Sequence, residues 1–107
     1  MHVECTRYVD ASEPDADGMY DYHYEYDIYH FTEGAISLKA RSYTDEPGEA
    51  HFLAIEINGK HRLLVDADLK LPLMRAAQAH LRLAGKTDVR WLSGRGNGYE
   101  PVPCVPG

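Results

Sequence analysis

Residues 51–66 read HFLAIEINGKHRLLVD and contain the strongest hairpin signal in the chain, Asn58-Gly59 between two apolar runs. This dipeptide is the preferred two-residue connection of a β-hairpin, because both positions adopt left-handed backbone angles. The turn pairs Ile57 with Lys60. The same register, continued, predicts four further pairs: Glu56 with His61, Ile55 with Arg62, Leu53 with Leu64 and Phe52 with Val65. Strict alternation then places apolar side chains on both faces of the hairpin. We therefore expect each face to pack against another part of the protein or against another chain.

A second alternation runs through residues 20–28, which carry tyrosine or isoleucine at every even position and a charged residue or histidine at every odd one. Period two over this length predicts a half-buried strand. A three-residue loop at 32–34 would connect it to the next strand by pairing Phe31 with Ala35, with Gly34 in the left-handed position. This register would place opposite charges across from each other: Asp27 with Lys39 and Glu25 with Arg41.

One helix is predicted in the C-terminal half of the chain. Pro72 suits a first helical turn, and Gly85 suits the position just past the end. Apolar and small residues recur between them at helical spacing: Leu73, Ala76, Ala77, Leu81 and Ala84. We therefore predict an α+β fold in which an antiparallel sheet of four to six strands, including two hairpins, packs against this single helix. Residues 1–107 are expected to form a single domain.

Charge limits the partners that suit this chain. Its 107 residues include 17 acidic and 11 basic ones, for a formal net charge of −6. The electrostatic field of this negative charge repels nucleic acid and favours a cationic protein partner. No apolar run reaches membrane-spanning length, and the N-terminus lacks the pattern of a signal peptide, so we expect a cytoplasmic protein without membrane contact. The sequence leaves open whether Cys5 and Cys104 form a disulfide.

The tyrosine-rich segment is a candidate binding surface. Its aromatic row could lie beneath the helix or meet a partner, since tyrosine is common at protein interfaces. The charged positions could form a cross-strand ion ladder, a metal site or a docking surface. The candidate surface consists of Tyr22, Tyr24 and Tyr26 on one face of the strand and His23, Glu25 and Asp27 on the other.

The hairpin at 51–65 suggests an interface between two copies of the chain. One helix can cover only one of its two apolar faces, so the other needs the N-terminal strand, the proline-rich tail or a second chain. We expect a homodimer through one apolar face, made of Leu53, Ile55, Ile57 and Leu64.

No motif assigns a catalytic activity. The six histidines show neither H-x-x-x-H nor H-E-x-x-H spacing, so we assign no catalytic residue, no metal ligand and no cofactor. The sequence favours a small acidic binding module, such as an adaptor or an inhibitor of a basic protein, over an enzyme. The alternative is a small metal-binding protein or enzyme that uses a His/carboxylate cluster, either His23 with Glu25 and Asp27 or His51 with Asp66.

Overall fold

The computed structural model describes residues 1–19, 23–92 and 98–102, which form one sheet and one α-helix. The elements follow in the order β1 (His2–Ala11), β2 (His23–Glu33), β3 (Ile36–Tyr43), β4 (Glu49–Ile57), β5 (Lys60–Arg62), a 3-10 helix (Asp66–Lys70), α1 (Pro72–Leu83), β6 (Asp88–Leu92) and β7 (Tyr99–Pro101). The sheet has the strand order β1-β2-β3-β4-β6-β7, and β5 pairs with β4. The α+β class with a single helix is confirmed for the described part of the chain.

The sheet differs from the prediction in strand number and in one strand direction. Among the described residues it has seven strands rather than four to six, and β4 pairs with β6 in parallel while every other described pair is antiparallel. The parallel pair follows from the crossover through α1, which returns the chain to the sheet in its original direction. The three-residue strand β7 is too short for alternation to reveal it.

A β-bulge in β4 corrects the prediction of a hairpin that is apolar on both faces. Across from β4, Lys39 pairs with Ala54 and Ala40 pairs with Phe52, so Leu53 is an extra residue. A bulge of this kind exchanges the faces of the residues on either side of it. Phe52 and Ile55 therefore both point into the core, where each is 0% exposed.

The Asn-Gly hairpin itself is confirmed but short. Ile57 pairs with Lys60, and Asn58 has the positive φ of 52° that its turn requires. The register continues only to the pair of Ile55 with Arg62, so the predicted pairs of Leu53 with Leu64 and of Phe52 with Val65 do not form. The chain leaves the sheet there, and the Arg62 guanidinium donates to Asp68 in the 3-10 helix at 2.6 and 2.9 Å.

The hairpin of β2 and β3 has a different register from the predicted one. Its loop is the two-residue turn Gly34-Ala35, with Gly34 at a φ of 60°, and Glu33 pairs with Ile36. The predicted three-residue loop was wrong, and the resulting pairs are Tyr26 with Tyr43, Ile28 with Arg41 and His30 with Lys39. Residues directly opposite each other share a face. The even-numbered residues of β2 therefore share a face with the basic residues of β3.

Helix α1 covers one face of the sheet and leaves the other uncovered by any described helix. Tyr29 and Phe31 of β2 lie beneath the helix, with ring centroids 6.1 and 5.6 Å from that of His80. The core on this side is formed by residues of the sheet, of the helix and of the segment before the 3-10 helix, and it includes Phe31, Leu38, Ala40, Phe52, Ile55, Leu64, Leu73, Met74, Ala77, Leu81 and Trp91. Because alternate residues point to opposite faces, the tyrosines at even positions of β2 point away from α1.

Candidate binding face

We call the side of the sheet opposite α1 the open face. Side chains from β1, β2, β3, β4 and β7 meet on it because the strand registers align them. They combine aromatic, basic and aliphatic groups with acidic ones at the margins, such as Glu4 opposite His30 and Glu56 opposite Ser37. The aromatic, basic and aliphatic side chains include Tyr8, Tyr24, Tyr26, Ile28, His30, Lys39, Arg41, Tyr43, His51, Leu53 and Tyr99.

Four tyrosines form a contiguous cluster on the open face, which we call the tyrosine cluster. Tyr8, Tyr26 and Tyr43 are neighbours across three strands. The rings of Tyr8 and Tyr26 stack with centroids 5.7 Å apart, and Tyr43 meets Tyr26 edge-on at 5.7 Å. Tyr24 lies 6.0 Å from Tyr43 and is 50% exposed. Tyrosine offers a partner a large amphipathic contact area and loses little conformational entropy on binding.

Arg41 is held at the centre of the open face. Its guanidinium carbon lies 4.9 Å from the ring centroid of Tyr43, in cation–π geometry. Its Nη2 donates a hydrogen bond of 3.0 Å to the hydroxyl of Tyr99. The Nε atom of Arg41 is buried and has no hydrogen-bond partner among the described residues. A buried donor without an acceptor is costly.

His51 on β4 lies directly across from Arg41 on β3, and its ring stacks on that of Tyr99. The imidazole and the phenol ring stack with centroids 4.4 Å apart. Burial lowers the pKa of His51, and this effect outweighs Glu49, whose carboxylate is 3.7 Å away and acts in the opposite direction. The His51 imidazole is therefore neutral at pH 7. Its contact with Glu49 replaces the His51–Asp66 pair that the sequence suggested.

A shallow depression of about 270 Å³ lies between these groups. Its lining consists of Tyr8, Tyr26, Ile28, His30, Lys39, Arg41 and Leu53. The lining contains two permanent cations and no carboxylate, although the whole chain carries a net charge of −6. Lys39 makes no ion pair with any residue in the described ranges. This volume is below that of a typical small-molecule pocket and suits one or two side chains of a partner.

The candidate surface predicted from the sequence is divided between the two faces. Tyr24 and Tyr26 lie on the open face, and Tyr22 is outside the described residues. The charged members lie on the opposite face, beyond the reach of α1: His23, Glu25 and Asp27. Within residues 1–19, 23–92 and 98–102, no group of three or more His, Cys, Asp or Glu residues is placed to hold a metal ion.

The acidic members of that predicted surface bind an arginine of the chain itself. Arg7 on β1 donates from Nε to the Oδ1 of Asp27 at 2.5 Å and from Nη2 to its Oδ2 at 3.2 Å. The Glu25 carboxylate lies 3.9 Å from the same guanidinium. It also lies 3.3 Å from the Nε2 atom of His23, within hydrogen-bonding distance. The hydrogen bond to Asp27 raises the pKa of Arg7. This arrangement is a local ion-pair network.

Three of the four residues of the predicted dimer face lie in or against the core, and the fourth lies on the other side of the sheet. Ile55 and Leu64 are in the core at 0 and 1% exposed, and Ile57 packs half-buried against that core. Leu53 alone lies on the open face, because the bulge turns it there. The disulfide question stays open, since Cys5 is exposed on β1 and Cys104 lies outside the described residues.

The sequence-based prediction did not identify several residues of the open face. In residues 39–43, KARSY, the basic and aromatic side chains alternate with small ones, and this signal could have marked the face. It became informative only with the correct β2–β3 register, which sets Arg41 and Tyr43 beside the tyrosines of β2. Tyr99 could not be found this way, because β7 carries no alternation.

Comparisons with models of known protein families, with curated proteins and with solved structures find no match to this chain. In the described part of the chain, no helix has the length and apolar character needed to cross a membrane.

Proposed function

We propose that the chain is a protein-binding module that holds an acidic peptide segment of a partner on its open face. Carboxylates of the partner would contact Lys39 and Arg41, and an adjacent aromatic or aliphatic side chain would pack on the tyrosine cluster. The observation that carries this proposal is the depression, which is lined by cations and aromatic rings without a carboxylate in a chain with a net charge of −6. Such a local departure from the overall charge favours a specific anionic group.

Arg41 is suited to carboxylate recognition in two ways. Its planar guanidinium matches the geometry of a carboxylate, and contacts with Tyr43 and Tyr99 limit its rotamers before a ligand arrives. Its Nε donor lacks an acceptor among the described residues. Because the guanidinium is already held in place, a partner carboxylate that contacts it would form a charge-assisted hydrogen bond at a small cost in side-chain entropy.

The expected cationic partner and the candidate acidic partner differ in where they would bind. Net charge acts at long range and favours a cationic partner, whereas the lining of a depression decides what fits on contact. Nucleic acid fits less well, because its affinity comes from neutralising several phosphates and the depression offers two permanent cations. The adaptor role and the cytoplasmic location remain predictions.

A peptide library displayed on phage tests the proposal without knowledge of the partner. Selection on the immobilised chain should enrich peptides that carry Asp or Glu beside an aromatic or aliphatic residue. Lys39→Glu should lower the affinity of a selected peptide about tenfold to a hundredfold, the effect of losing one or two hydrogen bonds to a charged group. Lys70→Glu is the matched control, since it makes the same charge change at an exposed position of the 3-10 helix.

Two results would contradict the proposal. Enrichment of lysine and arginine would indicate the cationic partner expected from net charge, as for an inhibitor of a basic protein. Equal effects of Lys39→Glu and Lys70→Glu would show that binding depends on net charge rather than on the depression. Circular dichroism of both variants confirms that any loss of binding occurs in a folded chain.

A further inference from the structure

Strand β1 has the features of an edge that is completed by another chain. It is ten residues long and forms the outermost strand of the sheet. Only Val3 and Ala11 are partly buried, while Tyr8 and Val9 are 44 and 59% exposed. Its outer edge pairs with no described strand.

Strand β1 lacks two features that protect natural edge strands, proline and a bulge, although three of its ten residues are charged: Glu4, Arg7 and Asp10. Its sequence, HVECTRYVDA, has no proline and no lysine, and its pairing with β2 runs from His2 to Ala11 without a bulge. A long and regular edge presents a row of backbone donors and acceptors to another strand. A partner strand that covers such an edge protects the protein from aggregation.

We propose that two copies of the chain pair through antiparallel β1 strands, with Thr6 of one copy opposite Thr6 of the other on the two-fold axis. The axis runs perpendicular to the sheet, so that directly opposite residues share a face. The pairs are then Val3 with Val9, His2 with Asp10, Cys5 with Arg7 and Glu4 with Tyr8, each formed twice. No like charges face each other, and the exposed Val9 meets an apolar partner.

Neighbouring registers are less favourable. Centring the seam on Arg7 would set arginine against arginine and Glu4 against Asp10, and like charges directly opposite are destabilising. Centring it on Cys5 would set Val3 against Arg7 and leave Asp10 without a partner residue. The Thr6 register pairs every residue from His2 to Asp10 without setting like charges opposite each other.

The dimer would have a defined arrangement of its two binding faces. A two-fold axis perpendicular to the sheet keeps both copies of α1 on one side and both open faces on the other. The two tyrosine clusters would then flank the seam, since Tyr8 belongs to β1 itself. A partner with two acidic segments could be held by both at once.

Charge substitutions at Thr6 test this seam directly. Multi-angle light scattering from micromolar to near-millimolar concentration should give the wild-type chain twice its monomer mass. Thr6→Lys and Thr6→Glu should each reduce the mass to that of the monomer, because each sets like charges against each other on the axis. An equimolar mixture of the two variants should restore the dimer mass, since lysine then faces glutamate. Thr44→Lys, at an exposed position between β3 and β4, is the matched control and should remain dimeric.

Each other outcome overturns the proposal. A wild-type chain that is monomeric throughout excludes self-association, and a Thr6→Lys variant that stays dimeric excludes this seam. Two monomeric variants whose mixture also stays monomeric exclude the Thr6 register. The result is independent of the proposed function, because Lys39→Glu should leave the dimer intact while it weakens peptide binding.

Discussion

Replacing Ile55 with alanine should destabilise the fold far more than replacing Leu53, although both residues lie in β4 and strict alternation puts them on the same face. The bulge at Leu53 separates them: Ile55 is 0% exposed in the core, and Leu53 lines the open depression. The two substitutions remove the same number of carbon atoms. The pair therefore isolates the effect of which face each side chain occupies.

The magnitudes follow from burial. Each buried methylene contributes about 0.8 kcal/mol, and truncation in a closed core adds a cavity term, so Ile55→Ala should cost about 3–4 kcal/mol. Leu53 is partly solvated already and its truncation leaves no closed cavity. Leu53→Ala should therefore cost about 1 kcal/mol or less. A difference of about 2–3 kcal/mol corresponds to a gap in Tm of about 10–20 °C in a domain of this size.

Urea unfolding followed by tryptophan fluorescence measures both variants. The chain has a single tryptophan, and Trp91 is 3% exposed beside the same core, so its emission reports the loss of packing. The slope of the free energy of unfolding against urea should stay the same in both variants. Equal losses of stability would show that β4 alternates without a bulge, and the assignment of the open face would fail with it.

Two further predictions concern pH. Asp68 accepts hydrogen bonds from Arg62 and from the Val65 amide, and chiefly Arg62 lowers its pKa, so its contribution to stability is present above about pH 4 and lost as the pH falls through the lowered value. Asp68→Asn should lower the free energy of unfolding by about 1.5–3 kcal/mol at pH 7 and should weaken the dependence of stability on pH below about pH 4. An unchanged dependence in that range would contradict the role of this ion pair. Burial lowers the pKa of His51, so the unfolded chain binds its proton first and stability should fall as the pH drops below about 6.5. His51→Gln should remove that dependence in the same unfolding assay, whereas a pH profile like that of the wild type would assign it to another group.

Local signals in the sequence predicted most of the elements. The Asn58-Gly59 turn, the alternation in β2 and the proline at the start of α1 each report backbone preferences within a few residues, and the structure has all three. The fold class follows from the order of these elements. Strand β7 and the parallel β4–β6 pair depend on contacts between distant segments, which such signals do not contain.

Predicting the candidate site would have required two local details of the backbone: the length of one loop and the position of one bulge. The two-residue loop at Gly34-Ala35 sets the register that brings Arg41 to the tyrosine cluster, and the bulge at Leu53 decides which side of β4 faces α1. Alternation tells which residues of a strand share a face, but not which face the helix covers. Tyr29 and Phe31, just past the tyrosine-rich segment, carry the apolar side chains that α1 packs on.

The most direct test of the open face as a binding site is an NMR titration of the ¹⁵N-labelled chain with an acidic peptide from the library. We expect the Nε–Hε signal of Arg41 to shift on binding, together with the backbone amide signals of residues 26–30 and 39–43. Shifts confined to the acidic residues at 10–17 or to α1, with the Arg41 signal unchanged, would contradict it.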